Sequence, residues 1–296
     1  MHSASPHTIK ASGEVMFEMF SLEFMLHAFL ACCILGFLLS YLGIHVVGRG
    51  IVFVDLALGQ ISSLGVAIAE FVHYGEWWLP IVFTVLGAVL LSLIHIHDRR
   101  LRLEAVIGIV YVVASAVTVL IIAKTPHGEA NIQEVLFGIL LGVTGDDLRN
   151  LLYVFGVIGI LHIIFYKAIN TITVKMEAGE SGNFSLKERG LNFFFYMSIG
   201  LAIVFAVRIG GVLPVFAFLV VPAVSAVLLA RNKVVILILA VGISVLASYF
   251  GLLFAYTLDF PTGPSVVAMF GAIFLLASGA RFIRKKVFKI SFEEEQ

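Results

Sequence analysis

The chain has 296 residues, of which 60% are hydrophobic and 13% charged, with Lys plus Arg balancing Asp plus Glu at 19 each. Soluble domains carry about 25% charged residues to cover a water-facing surface, so a soluble globular protein is excluded. Disordered and collagen-like chains are excluded too, by the apolar content and by 27 Gly without a three-residue period. Zero net charge gives no electrostatic case for nucleic acid; membrane lipid is the partner this composition demands.

A bilayer core of about 30 Å needs about 20 apolar helical residues to cross it. Residues 1–19 are polar and have no basic start with a small-residue cleavage site, so they predict a tail and not a signal peptide. Nine spans follow in chain order: 20–43, 51–73, 78–96, 105–123, 149–169, 190–208, 211–230, 234–257 and 264–283. Backbone polar groups in lipid must be satisfied within each segment, so these runs predict helices. The fold class is therefore all-α, a polytopic transmembrane bundle of about 8–9 spans. Residues 20–286 form its single domain, and 287–296 form a C-terminal tail. A further apolar run, 131–143, is too short to cross and is expected to dip into the membrane or lie at its edge. With the N-terminus outside, 15 of the 19 Lys and Arg fall on the inner side, as the positive-inside rule requires. Cys32 and Cys33 are adjacent and read as small membrane-embedded side chains.

No GxxxxGK[ST], HExxH, GxSxG or CxxC motif occurs, so neither ATP binding through a phosphate loop nor the usual membrane-protease and redox chemistries are expected. Intramembrane ionisable residues cost about 2.5–3.5 kcal/mol on insertion scales and are functional candidates by default. The second span, GRGIVFVDLALGQISSLGVAIAE, holds Asp55, Gln60, Ser62, Ser63 and Glu70, with His73 at its outer end. At helical spacing Gln60, Ser63, Ala67 and Glu70 share one stripe, and Asp55, Gly59 and Ser62 a neighbouring one. The seam reads equally as the lining of a path for a small cation or as polar glue between helices. Glu70, His73 and Glu76 have helical spacing for a divalent metal, against the alternative of a solvated helix end. His27, His45 and His162 read as bonded structural histidines, and His95, His97, His127 and Glu129 as interfacial or loop residues. In GGVLPVFAFLVVPAVSAVLLAR, Pro214 and Pro222 are each expected to kink or break the span, as in transporters with broken helices.

Three segments together resemble the membrane components of ATP-binding-cassette importers for zinc, manganese and iron. They are VGRGIVFVDLALGQISSLGVAIAE, GGVLPVFAFLVVPAVSAVLLAR and LDFPTGPSVVAMFGAIFLL. LFGILLGVTGDDL, residues 136–148, resembles a fourth family segment. The resemblance implies a permease that is not itself an enzyme and that pairs with a second copy. It also implies cytosolic ATP-binding subunits and an extracytoplasmic metal-binding protein, in a prokaryotic plasma (inner) membrane. The cargo it implies is a divalent metal, zinc or manganese first, held transiently, with no covalently bound cofactor. The loop at about 170–190 would meet the ATPase through Lys175, Glu177, Lys187, Glu188, Arg189 and Gly190. The translocation path would take Asp55, Gln60, Ser63 and Pro222, and the outer approach Glu70 and His73. The family pattern places an Asp and a His four residues apart in span two as metal ligands. Counted back from Leu64-Gly65 those positions fall on Leu56 and Gln60, so Asp55 and Gln60 stand as the metal residues, and the histidine is absent. The alternatives are a permease for a metal chelate or another small solute, and an ion-coupled secondary carrier; only Asp55 is deep enough to serve the latter.

Overall fold

The computed structural model describes residues 18–93, 103–124, 133, 135–178 and 184–293. The polar tail to residue 17, the basic stretch with His95, His97, Arg99, Arg100 and Arg102, the TPHGEA loop with His127 and Glu129, and residues 179–183 and 294–296 lie outside this description. Among the described residues the main helices are, in order, α1 (Glu23–Arg49), α2 (Val54–Val72), α3 (Leu79–Leu93), α4 (Leu103–Ile122), α5 (Gly145–Ile164), α6 (Tyr166–Glu177), α7 (Leu186–Gly210), α8 (Val212–Leu229), α9 (Lys233–Leu258) and α10 (Thr262–Glu293). No strand occurs among the described residues. Eight of the helices are long and apolar enough to cross a membrane, and α3 is a shorter apolar helix in series with them. The chain is an integral membrane protein, all-α, as the run lengths require.

α1 forms the centre. It packs against α5 to α9, while α2 gathers α3, α4 and α7 around it. Exposed Ile109, Val112, Val113 and Leu120 on α4, Ile160 and Ile163 on α5, and Leu275 and Leu276 on α10 give these helices apolar outer faces suited to lipid. Small residues set the closest approach: a Cβ on Gly43 of α1 would stand 1.8 Å from the Leu219 carbonyl oxygen of α8.

Side-chain and backbone contacts sort the turns to two ends. At one end Arg49, α6, the start of α7 and the α8–α9 turn meet, through Arg49 with Thr173 and Asn192, Lys175 with Glu188, and Lys233 with Asn170. This end is the basic one. At the opposite end the α7–α8 corner meets residues 137–143.

Two details depart from the sequence expectation. The 149–169 run is interrupted at Phe165 (φ −93°, ψ 10°), and α6 begins at once. Hydropathy cannot detect this break because Tyr166–Glu177 buries only Ile169, Ile172 and Thr173, an amphipathic pattern continuing an apolar run. Pro214 does not kink a span: the chain breaks earlier, at Gly211, and Pro214 falls in the first turn of α8, where no intrahelical N–H bond is required. Pro222 alone lies inside the helix, leaving the Phe218 carbonyl without its usual donor.

The described part of the 131–143 run does not cross the bundle. It turns at Gly138 (φ 71°), donates Ile139 N–H to the Ile209 carbonyl at 3.1 Å, and makes a 3-10 turn over Leu140–Gly142. Leu140 and Val143 are buried in the core. His27 Nδ1 lies 3.2 Å from the Val143 carbonyl and ties the segment to α1.

Candidate functional site

Between α2, α3 and α7, at the end opposite the basic one, lies a cleft of about 390 Å³. α2 contributes Ser62, Ser63, Val66, Ala69 and Glu70; the following turn and α3 contribute Glu76, Trp77 and Pro80; α7 contributes Phe205 and Arg208. The helical period explains the α2 set, since residues three and four apart share a face. The cleft thus joins two carboxylates near its mouth to two hydroxyls at its floor. The Ser63 hydroxyl is buried and makes no hydrogen bond.

Asp55 lies on the same face of α2, seven residues before Ser62, which places it about 10 Å further along the axis. It is the second residue of the helix and 2% exposed, and neither carboxylate oxygen makes a hydrogen bond. A buried carboxylate normally has partners. The first-turn N–H groups of α2 supply the positive end of a helix dipole beside it. An unpartnered buried carboxyl group below a carboxylate-lined cleft leaves two oxygens free to take up a cation.

The other residues of interest are distributed differently. Gln60 is 3% exposed but stands about 140° around the helix from Asp55, and it is not among the residues lining the cleft. His73 caps the C-terminus of α2 in the left-handed region (φ 54°) and is exposed, while Glu70 faces the cleft. Among the described residues no three His, Cys, Asp or Glu converge on a metal-sized position. Glu70, His73 and Glu76 therefore do not form one cluster here: Glu70 and Glu76 line the cleft and His73 does not. Pro222 is buried in α8, remote in sequence and element from the cleft lining.

At the basic end, Lys175 and Glu177 belong to α6 and Lys187, Glu188, Arg189 and Gly190 to the first turns of α7. Two of them meet: Lys175 Nζ donates to Glu188 Oε1 at 2.5 Å. Glu188 also accepts from Ser185 N–H at 2.8 Å in a capping box that starts α7. Glu177, Lys187, Arg189 and Gly190 are exposed on the same surface.

Sequence reasoning missed Arg208, Glu76 and Trp77 as a group. The Arg208 guanidinium lies 4.4 Å from the Trp77 ring centroid, a cation–π contact that holds a positive charge in the cleft wall. The only sequence signal is an arginine in the last turn of an apolar helix. At roughly 10 Å in water, a unit charge repels a divalent ion by about 0.8 kcal/mol. Arg208→Gln is therefore expected to lower the KM for a divalent metal about fourfold at low ionic strength, with the difference vanishing in about 1 M salt. Initial uptake rates at both salt concentrations measure this.

These features define a transport protein of the membrane, with a polar cleft at one end of the helical bundle and a basic, helix-capped surface at the other. The chain belongs to the ABC 3 transport family, whose model matches residues 21–281. It is 26% identical to the chelated iron transport system membrane protein YfeC of Yersinia pestis, covering 89% of this chain and 88% of that protein. It is 24% identical to the high-affinity zinc uptake system membrane protein ZnuB of Haemophilus influenzae, covering 86% and 97%. The fold matches a solved structure, PsaBC from Streptococcus pneumoniae in complex with Fab, with a TM-score of 0.75 at 20% identity, covering 90% of this chain and 95% of that chain.

Proposed function

We propose that the chain is the permease subunit of an ATP-driven importer of divalent metal ions, zinc or manganese first, in a prokaryotic plasma (inner) membrane. Two copies enclose the path, separate ATP-binding subunits dock on the basic end, and an extracytoplasmic metal-binding protein delivers the ion to the cleft. The observation that carries this reading is Asp55: an unpaired buried carboxylate beneath a cleft edged by Glu70 and Glu76. Family membership and the relatives named for zinc and chelated iron support the cargo class.

In the mechanism, the ion enters between Glu70 and Glu76, whose charge offsets part of its hydration. Ser62 and Ser63 supply neutral oxygens at the floor. Asp55 then attracts it toward the basic end, and Gln60 offers a carbonyl oxygen should α2 rotate. Such ligands bind weakly, which suits an ion that must also leave. Hydrolysis on the partner subunits moves the 170–190 region, with Lys175, Glu177, Lys187, Glu188, Arg189 and Gly190 as the receiving surface and Pro222 as the flexible point of α8.

The cellular test is elemental analysis after deletion of the chain under metal limitation. With the ATP-binding subunit deleted as well, one of zinc or manganese is expected to fall at least fivefold and to be restored by the chain together with that subunit, not by the chain alone. Restoration by the chain alone would favour a secondary carrier. A fall seen only when the metal is supplied as a chelate would favour the chelate reading.

A further inference from the structure

At the basic end, Arg49 closes α1 and is 5% exposed. Among the described residues no carboxylate pairs with it. Its Nε–H donates to Thr173 Oγ1 of α6 at 3.0 Å and its Nη1 to Asn192 Oδ1 of α7 at 2.9 Å. Its guanidinium carbon lies 3.5 Å from the Phe195 ring centroid, while Nη2 is buried without a partner.

The Thr173 hydroxyl donates to the Ile169 carbonyl at 3.0 Å, so toward Arg49 it can only accept. His45 Nδ1 lies 2.9 Å from the same oxygen, so His45 donates there too. One hydroxyl thus joins α6 to two residues of α1, and all its bonding capacity is used. An ordinary inner-face arginine reaches out to water or lipid headgroups. This one is turned inward and held by neutral groups of two other helices.

From Arg49 the chain runs without slack to Asp55. Gly50 turns in the left-handed region (φ 65°), Ile51 N–H bonds the Val46 carbonyl, and Val54 N–H bonds the Ile51 carbonyl. Ile51 and Val54 are buried.

We propose that Arg49 is the coupling joint of the protein: a buried guanidinium that carries displacement of α6 and the start of α7 into the α1–α2 corner, and so to Asp55. The inference rests on the metal-import reading for its consequence but not for its mechanics. A charge-assisted fork to two helices transmits both pull and rotation, which a single apolar contact does not. Arg49 is a positioning residue; it acts on the path through the corner.

The test uses the full complex in proteoliposomes and the permease alone in nanodiscs, with Arg49→Gln, Arg49→Lys and Thr173→Val. Thr173→Val removes the shared acceptor and keeps the guanidinium, so it serves if the Arg49 variants do not fold. In the permease alone, amides of 166–177 are expected to exchange at least tenfold faster in Arg49→Gln and Thr173→Val. In the complex, ATP hydrolysis stays within twofold of the parent, while zinc or manganese moved per ATP falls at least tenfold, with partial recovery in Arg49→Lys. Unchanged amide exchange overturns the joint. Faster exchange with unchanged metal per ATP overturns its coupling role, as does a parallel loss of hydrolysis and uptake. If the parent complex hydrolyses ATP and moves neither metal, the import reading fails, and amide exchange alone decides whether the joint exists.

Discussion

Gly211→Ala is expected to prevent accumulation of folded protein, or to lower its thermal midpoint in detergent by more than any other single methyl addition at the α7–α8 corner. Gly211 caps α8 at φ 74°, ψ 167°, a region open in practice only to glycine and worth about 1–3 kcal/mol of strain in other residues. The added Cβ would also stand 2.3 Å from the Gly138 nitrogen and 2.5 Å from the Phe137 carbonyl carbon. Both obstacles are backbone, so no rotamer change relieves them. Gly138 answers from the other side, with its own missing Cβ facing the Gly210 and Gly211 backbone. The strain and overlap together cost at least about 3 kcal/mol. Gly242, helical with nothing within 4 Å, is the control: Gly242→Ala is expected to hold or raise the midpoint, since alanine is the better helix former. Equal effects of the two substitutions would refute the packing of residues 137–143 against the corner.

Asp55→Asn is expected to separate stability from transport. The substitution is nearly isosteric and replaces a buried carboxyl group whose oxygens make no hydrogen bond. No partner is lost with the carboxyl group and the amide is of the same size, so the thermal midpoint is expected to stay level or rise. A structural carboxylate would behave oppositely, its loss lowering stability. Metal uptake is expected to fall at least a hundredfold, because the neutral amide no longer attracts the ion at the deepest point of the α2 face. Midpoint and initial uptake rate measured on the same preparation check both halves. Retained uptake in the variant would remove Asp55 from the path.

Much of this architecture was legible in the sequence because the bilayer imposes a length and a composition on every crossing helix. The runs of α1, α2, α4, α7, α8 and α9 are read directly from apolar length. The break at Phe165 was not legible, because α6 keeps enough apolar residues to extend the run while burying only one narrow face. The segment 131–143 could be recognised as too short to cross, but its docking depends on Gly138 and Gly211 meeting across more than seventy residues. Asp55 stood out by its charge alone. The cleft did not, because Glu76 and Trp77 come from a turn and Arg208 from the end of a distant helix. In the sequence Arg49 is one of the 15 inner-side Lys and Arg and nothing sets it apart; Thr173 and Asn192, which hold it inside, carry no signal until α6 folds back onto α1 and α7.

The most direct measurement is uptake of radioactive zinc or manganese into proteoliposomes holding the chain with its ATP-binding subunit, ATP supplied on the side of the basic end. The account predicts accumulation against a gradient that stops when ATP is replaced by a non-hydrolysable analogue. Equal uptake with and without hydrolysable ATP, or hydrolysis that moves no divalent metal, would contradict it.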